Sequence, residues 1–222
     1  NFNGFSLLVC RSVLSLLESI DTKDMLIFEK LVDLNMKDLK DIFSKIREAC
    51  LTNYTEDVPV LSHGNIKKSN ILYSNGYIKL INFENCYGCD LYYSLFKTVD
   101  DLYLYHNEKT VNEFLLRYHS SSRILGGVTP NEFLENYKRK KEQNTMLLFQ
   151  DLLCKILFHF VAYGAYYKSN YLIKYMNTYL NLKPIIEKVF PDRIKSFDKL
   201  FFTVMPTVKT YDMEELQIIK NM

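Results

Sequence analysis

The chain has 222 residues, 48% of them hydrophobic and 24% charged, and its net charge is +2. That length holds one large domain or two small ones with a substantial core. The charge balance excludes a strongly basic nucleic-acid binder and a protein dominated by an acidic tail.

Apolar spacing places a first helix over Phe5 to Ile20, with Leu7, Leu8, Val13, Leu14, Leu16 and Leu17 on a broad face. A second helical stretch starts at Asp24 and runs to about Asp33. Met36 to Leu51 is a clearer helix, because Leu39, Ile42, Phe43, Ile46 and Cys50 recur at steps of three and four. Pro59 closes this helical section. Val60 to Ser62 is short and β-like. Asn70 to Tyr73 and Tyr77 to Asn82 are short runs of β-formers, and Asn75-Gly76 between them tolerates the positive φ of a tight hairpin.

From Leu91 the pattern is helical to the end, with helices expected at 91–104, 109–120, 130–143, 146–168, 170–180, 183–189 and 193–204. Pro130 and Pro184 are placed at helix starts, where proline is tolerated. Gly126-Gly127 marks a loop, and the residues after Pro206 form a short terminal helix or a tail. The cluster Lys138 to Lys141 reads as a solvated helix face. Met146 to Tyr167 is the most hydrophobic segment, but Gln150, Asp151, Lys155 and His159 interrupt it, so it reads as a buried helix. The tyrosines Tyr163, Tyr166 and Tyr167 are assigned to core packing ahead of an acceptor pocket. Five scattered cysteines make no disulfide framework. The single C-x-x-C of Cys86 and Cys89 has no second pair to complete a zinc site. With no signal peptide and no membrane span, a reducing, cytoplasmic setting fits.

One stretch carries chemistry. His63-Gly64-Asn65 is followed at the fifth position beyond Asn65 by Asn70, then by the hairpin, then by Ile81-Asn82-Phe83-Glu84. This order resembles the catalytic loop H-G-D-x-x-x-x-N and the metal-binding I-D-F segment of the aminoglycoside phosphotransferase and choline kinase-like family. Cys89-Asp90-Leu91-Tyr92-Tyr93-Ser94-Leu95 is similar to the stretch that opens that family's next helix. The resemblance implies an α+β, mostly α fold: a protein kinase-like C-terminal lobe with a small β-hairpin carrying both motifs. It covers 1–206, as N-terminal helices over 1–58, the loop and hairpin over 59–90 and a helical subdomain over 91–206, with 207–222 as the tail. No glycine-rich nucleotide loop precedes Phe5, so the N-terminal lobe is expected outside the present sequence, for instance as a separate partner, or lost.

The resemblance further implies an ATP and magnesium site. Asn65 stands at the catalytic-base position, with His63 supporting the loop. Asn70 and Asn82 stand at the two metal-ligand positions, and Glu84 is the carboxylate beside them. Lys67 and Lys68 are near the nucleotide phosphates or are solvated loop residues. Asp90 is expected as a helix N-cap. Transfer of a phosphoryl group needs a carboxylate to orient the attacking hydroxyl and another to hold magnesium. Asn65 can accept a hydrogen bond but takes no proton at neutral pH, and Asn82 brings no charge to a metal. Ser94 replaces an aspartate that in the family braces the loop. Three functions stay open on this pattern. One is a pseudokinase that binds a protein partner and a nucleotide. Another is an active small-molecule kinase whose aspartates are substituted, by nature or by engineering. The last is a helical interaction protein, for which residues 70–82 would not form a hairpin.

Overall fold

The computed structural model describes residues 15, 18, 19, 22–51, 59–66, 68–102, 104, 107–163 and 170–203. Most of the helix expected over Phe5 to Ile20 lies outside the described residues. So do Lys67, Tyr166, Tyr167, the tail after Pro206 and the side chains of Lys68 and Tyr163.

Among the described residues the elements run α1 (Thr22–Val32), α2 (Met36–Leu51), β1 (Pro59–Ser62), β2 (Ile71–Ser74), β3 (Tyr77–Leu80) and β4 (Tyr87–Asp90). They continue with α3 (Leu91–Asp101), α4 (Glu108–Ser121), α5 (Pro130–Arg139), α6 (Lys141–Tyr163), α7 (Asn170–Val189) and α8 (Ile194–Thr203). The fold is mostly helical with little sheet. The residues separate into two compact units, one over Ile42–Asp151 and the other from the described residues up to Asp41 and from Leu152 onward. No helix among the described residues is long and apolar enough to cross a membrane.

The first unit carries all four strands. They form two separate antiparallel pairs, β1 with β4 and β2 with β3. In the β2–β3 ribbon Ile71 faces Leu80, Leu72 faces Lys79, Tyr73 faces Ile78 and Ser74 faces Tyr77. Asn75 and Gly76 take φ of 51° and 81° at the turn. Positive φ at both central residues matches the right-handed twist of the flanking strands, which explains the Asn-Gly pair. The β1–β4 ladder, with Val60 opposite Cys89 and Ser62 opposite Tyr87, has no counterpart in the sequence expectations. Its strands are four residues each, and Gly88 breaks the apolar alternation of β4.

Helix α3 packs on β1 and β4 and buries Leu91, Tyr92, Tyr93, Leu95, Phe96 and Val99. Its N-terminus is capped as expected: the Asp90 side chain accepts from the Tyr93 amide at 3.1 Å. Helix α5 opens on a reciprocal cap. Glu132 N donates to Thr129 Oγ1 at 3.3 Å while Thr129 N donates to Glu132 Oε2 at 2.8 Å, with Pro130 at the first helical position. Helix α5 ends at Arg139 and α6 begins at Lys141, so the expected boundaries at 143 and 146 both move toward the Lys138–Lys141 cluster.

In the second unit α8 packs on α1 and α7. Tyr179, Leu182, Ile186, Phe197, Leu200 and Phe201 are buried there. Asp198 ties α8 to α7: it accepts from Tyr179 Oη at 2.8 Å and from Lys183 Nζ at 2.7 Å. The two helices expected at 170–180 and 183–189 are one helix, and Pro184 lies inside it. Pro184 is exposed, as is Leu180 one turn earlier. The Leu180 carbonyl that loses its amide donor therefore sits on the solvent side of the helix, where water can satisfy it.

Candidate functional site

The candidate loop starts where β1 ends. His63 is 7% exposed and follows Ser62 directly. Gly64 then turns the chain with φ of 75°, a conformation that favours glycine. His63 Nε2 lies 2.9 Å from the carbonyl oxygen of Ile81. A carbonyl only accepts, so Nε2 carries the proton and His63 holds the loop to the residue just past β3. The imidazole also packs on Phe83, with ring centroids 4.6 Å apart. Cys86 Sγ lies 3.8 Å from the His63 carbonyl as a weak donor.

Asn70 closes the other end of the loop. It is 4% exposed, and its Nδ2 donates to the Asn65 carbonyl at 2.9 Å. Its own carbonyl accepts from the Ile81 amide at 3.0 Å. Ile81 thus receives the loop twice, through its carbonyl from His63 and through its amide from Asn70. These bonds bring His63, Asn65 and Asn70 together against the start of the Asn82 segment.

Asn82 adopts the left-handed conformation, φ 67° and ψ 61°, and makes no side-chain cap to the short helical turn Phe83–Asn85 that follows. Asparagine is among the residues that enter this region with little cost. Asn82 and Glu84 are exposed, and Asn65 is half-buried. Lys67 is outside the described residues, and Lys68 opens the short helical turn Lys68–Asn70. Ser94 donates from Oγ to Ser62 Oγ at 3.1 Å. This bond joins the first turn of α3 to the residue ahead of His63.

Sequence reasoning missed several supports of the loop: Ser62, Phe83 and Cys86. Phe83 and Cys86 flank the motif and carry no signature of their own. Ser62 is legible only as the residue preceding His63. Also missed was the buried cluster beneath α3. Lys97 Nζ lies 3.7 Å from Asp101 Oδ2 and 3.9 Å from Asp151 Oδ2. Burial alone pushes the Lys97 ammonium down, but the carboxylates of Asp101 and Asp151 outweigh it and hold the group above its usual range. Nearby, burial pushes the Tyr87 phenol up to about 12 and the Cys89 thiol up to about 11. Both stay neutral at physiological pH, so Cys89 is no nucleophile.

The donor set does not fit the magnesium-bound nucleotide that the family pattern implies. Asn70 and Asn82 offer only neutral amide oxygens, and Glu84 is the single carboxylate of residues 62–85. Magnesium held by protein relies on carboxylate and phosphate oxygen. We therefore derive no metal-dependent step. What the arrangement offers is a loop held to Ile81 through His63 and Asn70.

Searches against protein-family models, characterised proteins and solved structures return no match.

Proposed function

We propose that this chain is a degenerate phosphotransferase-like lobe, a pseudokinase, which binds a nucleotide and a protein partner without transferring phosphate. One observation carries this conclusion. The His63–Asn70 loop is fastened to Ile81 at both ends, while the two positions that phosphoryl transfer gives to carboxylates hold Asn65 and Asn82. A scaffold is kept in order and its acids are gone. Removing two negative charges also removes repulsion toward bound phosphates, so nucleotide binding without magnesium is the expected mode.

The test is calorimetric titration of the purified chain with ATP, with and without Mg²⁺, beside a phosphotransfer assay on small alcohols and aminoglycosides. Binding that is indifferent to magnesium, with no turnover, is the expected result. Transfer at an ordinary kinase rate would overturn the proposal. A second reading, an active kinase with substituted aspartates, draws on the exposed Glu84 two residues beyond Asn82. It requires the double variant Asn65→Asp/Asn82→Asp to gain strong magnesium-dependent activity, whereas a pseudokinase remains inert.

A further inference from the structure

We propose that Asn75 is a site of spontaneous deamidation, and that the isoaspartate it yields opens the β2–β3 ribbon. The reaction is internal to the chain. Once a base takes its proton, the backbone nitrogen of Gly76 attacks Cγ of the Asn75 side chain. A carbon–nitrogen bond forms, the side-chain nitrogen leaves as ammonia, and a cyclic succinimide remains. Water then opens that ring at either carbonyl, to aspartate or to isoaspartate. Asparagine and water are consumed, ammonia and an acid are produced, and nothing is oxidised or reduced.

Asn75 precedes Gly76, whose amide no side chain screens, whereas Asn65, Asn70 and Asn82 precede Ile66, Ile71 and Phe83. Ser74, Asn75 and Gly76 are exposed, and a side-chain carbon at Gly76 would meet no atom within 4 Å. Base and water therefore reach the turn. Ring closure also needs the Gly76 nitrogen to swing toward Cγ. Among the described residues β2 and β3 pair only with each other, and a two-stranded ribbon is marginal enough in water to allow that opening. The two products differ in effect. Aspartate keeps the backbone, and Asp-Gly suits the same turn as Asn-Gly. Isoaspartate routes the main chain through the former side chain and adds a methylene to a two-residue turn, which then no longer fits the Ser74–Tyr77 register. The ladder opens from that end toward its root. The rung beyond Ile71–Leu80 is the Ile81 amide on the Asn70 carbonyl, at 3.0 Å. The bond that fastens the His63 loop at Asn70 is thus the last rung of the ribbon, and isoaspartate at the tip loosens it. This does not depend on what the loop binds.

The test ages the whole chain in mildly alkaline buffer, folded and in urea, and maps its tryptic peptides by mass spectrometry. Ser69–Lys79 contains Asn75 and, as an internal control, the buried Asn70. Asn3-Gly4, the other Asn-Gly pair of the sequence, falls in a different peptide. In the folded chain Asn75 should turn to acid within about tenfold of its rate in urea, faster as pH rises, while Asn70 stays intact. Methyl transfer by an isoaspartyl methyltransferase should score isoaspartate in that peptide. The isoaspartate fraction, separated by chromatography, should exchange the Ile81 amide hydrogen at least about tenfold faster than the fresh chain, and fresh Asn75→Asp should not. Asn75→Gly keeps a turn open to positive φ and should show neither the modification nor the faster exchange with age. An Asn75 that stays intact in the folded chain while it reacts in urea overturns the proposal. So does an Ile81 amide as protected in the isoaspartate fraction as in the fresh chain, or one that loosens equally in Asn75→Asp or in aged Asn75→Gly.

Discussion

The hydroxyl of Ser94 sits 3.1 Å from the hydroxyl of Ser62, so the first turn of α3 is bonded to the residue that precedes the His63 loop. Ser62 is 5% exposed, and the Cys89 thiol is its other hydrogen-bond neighbour, so Ser94→Ala removes one bond of two. It should lower stability by about 0.5–1.5 kcal/mol, read as a shift in the urea midpoint at unchanged slope. Ser62→Ala/Ser94→Ala removes both groups and should cost less than the two single changes added together. Strict additivity would mean that the hydroxyls do not meet.

Asn82 makes a sharper local claim. Its φ of 67° is strained for a β-branched residue and open to Gly, Asn and Asp. Asn82→Val should cost about 1–2 kcal/mol, while Asn82→Gly and Asn82→Asp should lie within roughly half a kcal/mol of the parent chain. Denaturant unfolding of the three variants checks the order. The near-neutral Asp variant also ensures that loss of folding does not confuse the activity test of Asn65→Asp/Asn82→Asp.

The parts of this structure that were legible from sequence are those whose determinants are close along the chain. Asn75-Gly76 specifies its own turn, Met36 to Leu51 specifies its own apolar stripe, and Asp90 caps the helix that begins one residue later. Within the candidate site the Asn65–Asn70 bond is equally local, spanning five residues. What escaped is non-local. The β1–β4 ladder pairs Pro59 with Asp90 across the whole loop and ribbon. Ser94 reaches a partner 32 positions away. Pro184 was misplaced for another reason: proline is disfavoured inside helices on average, and here tertiary packing of Tyr179, Leu182 and Ile186 on the buried side overrides that preference.

Lys97 tests the buried charge cluster. Its carboxylate partners Asp101 and Asp151 come from α3 itself and from α6. Lys97→Met removes the cation and leaves Asp101 buried beside Asp100, and should destabilise by about 3–5 kcal/mol. The pH dependence has a definite sign. The folded-state group titrates above its ordinary 10.5, so its contribution is fully present below about 10.5 and is lost as pH rises through the higher folded value. Unfolding free energy measured from pH 8 into the alkaline range should fall more steeply in the parent chain than in Lys97→Met. Parallel curves would rule out a stabilising charge at this position.

Pro184 tests the continuity of α7. In one unbroken helix, proline removes the amide that would bond to the Leu180 carbonyl and crowds that carbonyl sterically. Pro184→Ala restores the bond at an exposed position and raises helix propensity. Against this, alanine frees the unfolded backbone that proline restricts. The helical gain is the larger of the two, because proline costs about 3 kcal/mol relative to alanine in a helix interior, whereas its restriction of the unfolded chain contributes only about 1 kcal/mol. Pro184→Ala should accordingly raise stability by about 1–2 kcal/mol and deepen the helical circular dichroism signal. Two helices meeting at residue 183 would place Pro184 in a first turn, where its missing amide has no carbonyl to serve. The substitution would then be neutral or destabilising.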